Sequence, residues 1–431
     1  MSAQTLSAIT KVAQPLAFSG DEEYESLLAE IGDARLVLIG EASHGTHDFY
    51  RERARITRML IEEKGFSAVA VEGDWPDAYR VNRFVQGENR DGDAEEALSG
   101  FRRFPAWMWR NMDVLDFATW LRTHNKRTGK KAGFYGLDLY SLYTSAQEVL
   151  RYLAHTDPAA AGRARYRYAC FDQFGEDTQA YGYSASFGMT ESCEHAVVEQ
   201  LAEMLKKRNE HGGPEFFSAE QNAYLVRDAE HYYRTMFSRG VNSWNIRDRH
   251  MAETMERLME FLGSGSKVVV WAHNSHLGDA RATEMGRRGE LNLGQLVRQR
   301  FPEQSYLLGF TTYSGEVTAA QDWDEPAERK IVRQGMPGSY ESLFHETLLG
   351  DFLLPLHGAE IRRALEYPLL ERAIGVIYRP ETERISHYFE ARIAEQFDAV
   401  IHIDRTRALV PLEKTVPWEQ GEVPETYPYA V

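Results

Sequence analysis

Two histidines and two glutamates have the residue types and the positions that acid–base chemistry requires. Glu41 and His44 directly follow one short apolar run, Glu72 closes a second run, and His273 follows a third. A carboxylate at the end of a buried strand is costly to desolvate unless it is paired or used, and a nearby imidazole is a natural partner. These four residues are therefore the predicted centre of the chemistry.

The residue types indicate hydrolysis by activated water. A neutral histidine near pH 7 can take a proton from water while a carboxylate fixes its tautomer and stabilises the imidazolium. His44 with Glu41 or Glu72 supplies this pair. His273 is a second imidazole that could protonate a leaving alkoxide or stabilise the oxyanion of a tetrahedral intermediate.

Four further polar residues are candidates for substrate contact, although each also has a structural explanation. Arg53 lies on the helix after the first motif, where it could bind an anionic group or form a surface salt bridge. Asp74 stands where a helix N-cap is expected. Asp138 could turn the chain, and His276 could bond to a neighbouring carbonyl.

Two other kinds of site can be weighed from the same residues. Ser43 lies in GEASHG, close to a nucleophile elbow, but that turn requires a small residue two positions before the serine, where this chain has Glu41. A serine hydrolase is therefore not expected. A divalent metal, zinc or manganese, remains an alternative if the predicted histidines and glutamates converge. The chain has no HExxH sequence, and no cofactor is predicted.

Short apolar runs rich in β-branched residues predict the elements that position these side chains. The runs cover residues 35–40, 68–72, 132–137, 267–272, 306–310, 373–378 and 399–403. Continuous runs of this length are typical of buried parallel strands, and helical patterns separate several of them. The sequence thus predicts an α/β fold with a mostly parallel sheet flanked by helices. Ligands bind outside the carboxyl ends of such strands, so the loops that carry the candidates should converge.

One region interrupts the alternation of strands and helices. Residues 190–262 are expected to form three long helices without a strand, and we interpret them as a helical subdomain or lid. The aromatic segment 166–187 before them could cover a substrate or be a packed bridge. The predicted division is an α/β core over residues 1–165, the aromatic loop and helical subdomain over 166–262, and the second part of the core over 263–431.

Composition excludes several classes of function. The chain has 431 residues, a net charge of −16 and 43% hydrophobic residues, which indicates a globular protein with no electrostatic footprint for nucleic acid or anionic membranes. No run reaches the length of a membrane span, and the start lacks the pattern of a signal peptide. Cys170 and Cys193 are the two cysteines, and we expect both to be reduced. A cytoplasmic protein with a small-molecule substrate is predicted.

The same motifs resemble the erythromycin esterase family. The combination of GEASHG, EGDW and WAHNSH is specific, and further matching segments spread the resemblance over nearly the whole chain: RRFPAWMWRN, FYGLDLYSLYTS and NIRDRHMAETM. The resemblance implies an α/β core with a deep cleft, in which water opens a macrocyclic lactone without a covalent serine intermediate. It also implies catalytic roles for His44, Glu41, Glu72, Arg53 and His273.

The leading hypothesis is a metal-independent hydrolase of a carboxylic ester or lactone in a bulky, possibly macrolide-like, substrate. The aromatic residues Trp107 and Trp109 could line a large apolar cleft for it or belong to the core. One alternative is a metal-dependent hydrolase that uses the same cluster. The other is a non-catalytic accessory protein of polysaccharide biosynthesis.

Overall fold

A nine-stranded sheet forms the centre of the computed structural model, which describes residues 3–208, 212–237 and 242–421. A second, two-stranded sheet pairs Leu369–Arg372 with Tyr388–Ala391 in antiparallel orientation. The strands, in chain order, are β1 Gln14–Pro15, β2 Leu36–Ile39, β3 Ala68–Asp74, β4 Gly133–Asp138, β5 Val268–Trp271, β6 Ser305–Ala319, β7 Glu328–Val332, β8 Phe352–Pro355, β9 Leu369–Arg372, β10 Tyr388–Ala391 and β11 Ala399–Thr406.

Helices connect and cover these strands. Those before the interruption in the alternation are α1 Ala3–Val12, α2 Glu25–Ile31, α3 His47–Glu63, α4 Trp75–Val85, α5 Ala94–Leu98, α6 Met112–Thr128 and α7 Leu142–Thr156. Two further helices, α8 Pro158–Tyr168 and α9 Thr178–Ser186, precede the interruption. The interruption itself contains α10 Glu194–Lys206, α11 Pro214–Thr235 and α12 Asn242–Leu262. The last group is α13 Asn274–Leu277, α14 Glu284–Arg287, α15 Leu293–Arg300, α16 Tyr340–His345, α17 Ala359–Ala364, α18 Glu383–Ser386, α19 Ile393–Gln396 and α20 Val416–Gln420.

The large sheet is mostly parallel, as the apolar runs predict. Its order is β1-β8-β11-β6-β2-β5-β3-β4, with β7 paired to β6. Strands β11, β6, β2, β5, β3 and β4 are parallel neighbours, whereas β8 and β1 continue the sheet in antiparallel pairing. The predicted α/β class is therefore confirmed. Because all parallel strands share one direction, the ends of β2, β3, β4 and β5 meet at one edge.

The central strands are buried on both faces. In β2, Leu36 and Leu38 pack into one apolar cluster, whereas Val37 and Ile39 pack into a second cluster on the opposite face. Successive side chains of a strand point to opposite faces, so a strand covered on both sides must be apolar throughout. This is the physical reason that these runs show no alternation.

The helical interruption is present where the sequence predicts it. Residues 190–262 contain α10, α11 and α12, and α11 packs against α7, α9, α10 and α12. The aromatic segment 166–187 is mostly helical, contrary to the irregular structure expected, with a 3-10 turn at Ala169–Phe174 followed by α9. Its buried aromatic residues Phe171 and Tyr181 hold it against the neighbouring helices.

The run at residues 373–378 does not form the expected strand. Ile374 pairs with Ser43 and Ile377 with Ala320 in isolated bridges. The segment is apolar because it packs against the loop of His44: the N–H of Ile374 donates to the carbonyl of Ala42 at 2.8 Å. Side-chain composition cannot distinguish this packing from membership of the sheet.

The expectation that both cysteines are reduced is wrong. Cys170 and Cys193 form a disulfide, with 6.0 Å between their Cα atoms. The number of cysteines and their spacing in the chain could not predict this bond, because the helices of this region bring the two Cα atoms into bonding range. The predicted cytoplasmic location loses the support of reduced cysteines and stays a prediction. No helix within the described ranges is both long and apolar enough to cross a membrane.

Candidate active site

A cavity of about 320 Å³ lies at the edge of the sheet where four parallel strands end. The predicted residues that line it are His44, Glu72, Asp74, Trp109, Asp138, His273 and His276. Glu41 and Arg53 do not line the cavity. Glu41 contacts His44, and Arg53 contacts Glu41. The structure therefore brings together side chains that are more than two hundred positions apart in the chain.

His44 lies in the loop between β2 and α3, and a hydrogen bond with Glu41 orients its ring. Its Nδ1 lies 2.9 Å from Oε1 of Glu41, whose side chain is 1% exposed. Oε2 of Glu41 lies 3.1 Å from Nη2 of Arg53. This arrangement favours the tautomer of His44 that carries its proton on Nδ1 and presents an unprotonated Nε2 to the cavity.

Arg53 is completely buried, in contrast to a surface salt bridge. Its guanidinium carbon lies 4.2 Å from the centre of the Tyr50 ring and 5.1 Å from that of Trp271. A guanidinium that is removed from water in this way is stabilised by aromatic faces and by the Glu41 carboxylate. Arg53 thus pairs with the carboxylate that orients His44.

His273 lies opposite His44, with 4.9 Å between the ring centres. The backbone N–H of Ser275 donates to Nδ1 of His273 at 3.2 Å, so the proton of the neutral ring lies on Nε2. Nε2 is buried and has no hydrogen-bond partner among the described residues. Burial, reinforced by the nearby His44, lowers the pKa of His273 to about 3. His273 is therefore a neutral hydrogen-bond donor at pH 7.

Glu72 connects the two histidines. Its Oε2 accepts a hydrogen bond from the backbone N–H of His273 at 2.8 Å, and its Oε1 lies 4.0 Å from Nε2 of His44. Burial by itself would raise the pKa of the Glu72 carboxyl, but the charges of His276 and Arg247 hold that pKa well below its ordinary value. The carboxylate is therefore ionised and accepts hydrogen bonds on the side that faces the cavity.

Arg247 and Asp248 are the principal residues of the site that the sequence analysis did not identify. Arg247, on α12, lies 2.6 Å from Glu72 and 2.7 Å from Asp138 through Nη2. Asp248 binds Nδ1 of His276 at 2.9 Å. Both lie in the NIRD segment of a charged helix, where an arginine and an aspartate are normally solvent-exposed. Only the matching segment NIRDRHMAETM could have drawn attention to them.

Asp138 and His276 have partners beyond those that a turn or a nearby carbonyl would supply. Asp138 receives Nε of Arg247 at 2.9 Å. Nη1 of Arg247 lies 2.9 Å from Nε2 of His276. Burial by itself would lower the pKa of His276, but the charges of Asp248 and Glu72 raise that pKa above its ordinary value. The ring of Trp244 stacks on His276, with 4.5 Å between ring centres.

Asp74 precedes α4 but does not cap it, contrary to the expected N-cap. Its side chain makes no cap hydrogen bond. Instead, Oδ1 accepts a bond from the N–H of Tyr140 at 3.0 Å, and Oδ2 lies 3.0 Å from Nη2 of Arg103. Nearby, burial and the charge of Asp74 raise the pKa of Asp77 to about 8. These groups form the polar wall of the cavity.

The two tryptophans differ in position. Trp109 lines the cavity, whereas Trp107 does not and is part of an apolar cluster. The other aromatic residues of the lining are Phe101, Phe104, Tyr140, Trp244 and Trp323. None of the residues of segment 166–187 is in this lining, whereas Glu176 and Thr178 of the segment line a neighbouring cleft. The cavity is therefore lined by both aromatic and charged side chains.

The alternative sites find little support in the geometry. Ser43 bonds to Thr46 and has no histidine partner among the described residues, in agreement with the argument against a nucleophile elbow. Within residues 3–208, 212–237 and 242–421, no group of three or more His, Cys, Asp or Glu side chains has an arrangement that could hold a metal ion. The metal-dependent alternative therefore lacks a ligand set in the described part of the chain.

Comparisons with known proteins agree with this fold. The chain is 24% identical to erythromycin esterase type II of Escherichia coli, over 69% of this chain and 74% of that relative. It is 22% identical to the putative hydrolase YbfO of Bacillus subtilis, over 92% and 90%. A solved structure of an EreC erythromycin esterase mutant, in its open conformation, has 18% identity and a TM-score of 0.65 over 90% and 94% of the two chains. The model of the erythromycin esterase family matches residues 61–406, and this chain therefore belongs to that family.

Proposed function

We propose that this chain hydrolyses a carboxylic ester or lactone in a bulky substrate, with His44 as the base that activates water. The observation that carries the proposal is the convergence of His44, Glu72 and His273 on one cavity. His44 presents an unprotonated nitrogen, Glu72 an ionised carboxylate and His273 a hydrogen-bond donor. These are the three functions that direct attack of water on an ester requires.

The position of the attacking water follows from two acceptors. Nε2 of His44 and Oε1 of Glu72 are 4.0 Å apart, so one water can donate a hydrogen bond to each. Both hydrogens of that water are then engaged, and its lone pairs point away from the two acceptors. A substrate carbonyl in the cavity would meet an oriented nucleophile.

The reaction needs one proton to move through His44. Water attacks the carbonyl carbon and transfers a proton to Nε2, while the carbonyl oxygen becomes an oxyanion. The carbon–oxygen bond of the leaving alcohol then breaks, and the imidazolium of His44 returns the proton to the leaving alkoxide. Glu41 stabilises the transient imidazolium from Nδ1. The products are a carboxylic acid and an alcohol, which are joined in one chain when the substrate is a lactone.

His273 is placed to stabilise the oxyanion. His273 lines the cavity, and its Nε2–H makes no hydrogen bond to the described residues. Because burial keeps the ring neutral, it donates a hydrogen bond without competing for the proton that His44 carries. Of the two roles that the sequence leaves open, oxyanion stabilisation fits this environment better than protonation of the alkoxide.

The shape of the cavity favours an extended substrate. A second cleft of about 1050 Å³ adjoins the catalytic cavity and shares Asp74, Asp77, Arg103 and Tyr140 with it. An acyl group can pack on the aromatic side chains of the first cavity while the rest of the molecule occupies the polar cleft. The names of the esterase relatives make a macrolide one reasonable member of this substrate class.

The test is a panel of esters and lactones, including a macrolide, with wild type and His44→Ala. Loss of the base is expected to lower kcat by about 10²- to 10⁴-fold. His47→Ala is the matched control, because His47 is close in the chain but pairs with Asp113 and does not line the cavity. Wild-type activity in His44→Ala would remove the proposed base. A wild type that binds sugars but hydrolyses no ester would favour an accessory protein of polysaccharide biosynthesis.

A further inference from the structure

Helix α12 delivers one charged side chain to the edge of the sheet. Arg247 comes from the helical interruption, whereas its partners Glu72 and Asp138 lie at the ends of β3 and β4, and its partner His276 follows β5. The side chain of Arg247 is 12% exposed and lines the cavity. A residue of the helical part therefore contacts three strand-end residues of the site.

The orientation of the guanidinium is determined by several contacts. Asp138 receives Nε at 2.9 Å and Nη2 at 2.7 Å, which fixes the plane of the group. His276 lies 2.9 Å from Nη1, and the Tyr140 ring lies 4.9 Å from the guanidinium carbon. With these contacts in place, Nη2 points at Oε1 of Glu72 from 2.6 Å.

We propose that Arg247 is a positioning residue, which holds the Glu72 carboxylate in the orientation that places its Oε1 opposite Nε2 of His44. Helix α12 thereby completes the water site from outside the sheet. This inference rests on the proposed function, because it assigns to Glu72 the binding of the attacking water. Asp138 acts indirectly: it orients the guanidinium of Arg247, which in turn orients the Glu72 carboxylate.

The chemistry of the water explains why this position needs a cation. An ionised Glu72 accepts a hydrogen bond from water, and the oxygen lone pairs stay free for the substrate. A protonated Glu72 would donate its own hydrogen to the water oxygen and engage a lone pair that attack requires. The Glu72 side chain is 3% exposed, so its ionised form depends on nearby positive charge and N–H donors. The guanidinium of Arg247 supplies both the positive charge and an N–H donor that orients the Glu72 carboxylate.

A merely structural role predicts a different result. If Arg247 only neutralised buried carboxylates, its loss would lower the free energy of unfolding and leave kcat of the folded protein unchanged. If it acts through Glu72, its loss should lower kcat with little change in KM, and the loss should disappear once Glu72 is already replaced. A double-mutant cycle separates these two roles.

The experiment measures kcat, KM and thermal unfolding on an ester that wild type hydrolyses. The variants are Arg247→Gln, Arg247→Lys, Glu72→Gln and the double variant Arg247→Gln with Glu72→Gln. Arg249→Gln is the matched control, since Arg249 is an exposed arginine on the same helix. We expect Arg247→Gln to lower kcat by about 100-fold, as a misplaced catalytic group does. The double variant should match Glu72→Gln within about twofold.

Arg247→Lys separates the effect of the branched hydrogen-bonding shape of the guanidinium from the effect of its positive charge. Lysine keeps the positive charge but cannot bind Asp138, His276 and Glu72 at once, so we expect a folded protein with kcat between wild type and Arg247→Gln. The inference is wrong if folded Arg247→Gln or folded Arg247→Lys keeps the wild-type kcat. It is equally wrong if the two losses multiply in the double variant, or if neither Arg247 variant folds. If wild type hydrolyses no ester in the panel, the proposed function itself fails, and this inference with it.

Discussion

At the scale of single residues, burial gives chemically equal side chains different roles. His44 has a carboxylate at Nδ1 and an open Nε2, so it can accept a proton. His273 accepts the N–H of Ser275 at Nδ1 and has a pKa lowered to about 3, so at neutral pH the ring stays neutral and donates from Nε2. The two imidazoles are 4.9 Å apart, and their surroundings alone distinguish the proposed base from the proposed donor.

The low pKa of His273 predicts a pH dependence of stability. The ordinary histidine pKa of 6.5 applies to the unfolded chain, whereas the folded pKa is about 3. Between these values the unfolded state binds a proton that the folded state excludes, so the free energy of unfolding should decrease as pH falls from about 6.5 to about 3. His273→Gln should lose less of this free energy than wild type between pH 6.5 and pH 4 in urea unfolding.

His155→Gln is the control for this measurement, because His155 is an exposed histidine on α7. Its pH profile of unfolding should follow that of wild type. A profile of His273→Gln that is also identical to wild type would contradict the buried, neutral state of His273.

At the scale of elements, the loop that carries His44 is held against the sheet by close backbone contacts. The N–H groups of Thr318, on β6, and of Leu409 both donate to the carbonyl of Gly45 at 2.9 Å. A Cβ atom at Gly45 would lie 1.8 Å from the carbonyl oxygen of Thr318. The glycine is therefore required by the close approach of two backbones, and this approach positions the residue before it, His44.

Gly45→Ala should consequently damage both stability and activity. The added methyl group must push the loop away from β6, which we expect to cost about 1–3 kcal/mol of unfolding free energy. The displacement should also lower kcat, because His44 moves with the loop. Thermal unfolding and ester hydrolysis measure the two effects.

Gly162→Ala, on α8, is the matched glycine control. A Cβ atom there meets nothing within 4 Å, so alanine should leave kcat unchanged and stabilise the helix slightly. A Gly45→Ala protein as stable and as active as wild type would contradict the close approach of the loop to β6.

At the scale of the whole molecule, the helical part and the sheet share one apolar core. Leu225 of α11 and Met255 of α12 belong to the same buried cluster as Leu36 and Leu38 of β2. The division of the chain at residues 165 and 262 stays a prediction. The common cluster and Arg247 together indicate that the helices between those positions support the site as well as cover the sheet.

The disulfide should stabilise this helical part without taking part in the chemistry. Cys170 and Cys193 are 23 residues apart, and closing a loop of that length restricts the unfolded chain by about 3 kcal/mol. The variant with serine at both positions should therefore unfold at lower denaturant concentration. Its kcat at 25 °C should equal that of wild type, because neither cysteine lines the catalytic cavity.

Reduction of wild type with a thiol reagent should produce the same loss of stability, and reduction of the double-serine variant should produce none. Equal unfolding midpoints for wild type and the variant would show that the bond contributes nothing to stability. A large loss of kcat in the folded variant would instead place this region in the site.

Much of the site was accessible from the sequence because of one rule about parallel sheets. Glu41, Glu72 and His273 follow apolar runs that form β2, β3 and β5, and neighbouring parallel strands end at the same edge. The order of residues along the chain was therefore enough to predict their convergence. The same rule also predicts that Asp138 and His276 lie at this edge, but it does not identify Arg247 as their shared partner.

The sequence by itself determined the parallel sheet, the helical interruption and the catalytic candidates, since burial on two faces and position at strand ends leave local patterns. The tertiary structure decided that residues 373–378 pair with a loop, that two cysteines are bonded and that Arg247 reaches Glu72 across 175 positions. These features depend on which distant segments pack together. An apolar run, a cysteine or an arginine on a helix has the same local sequence signal whichever partner it meets.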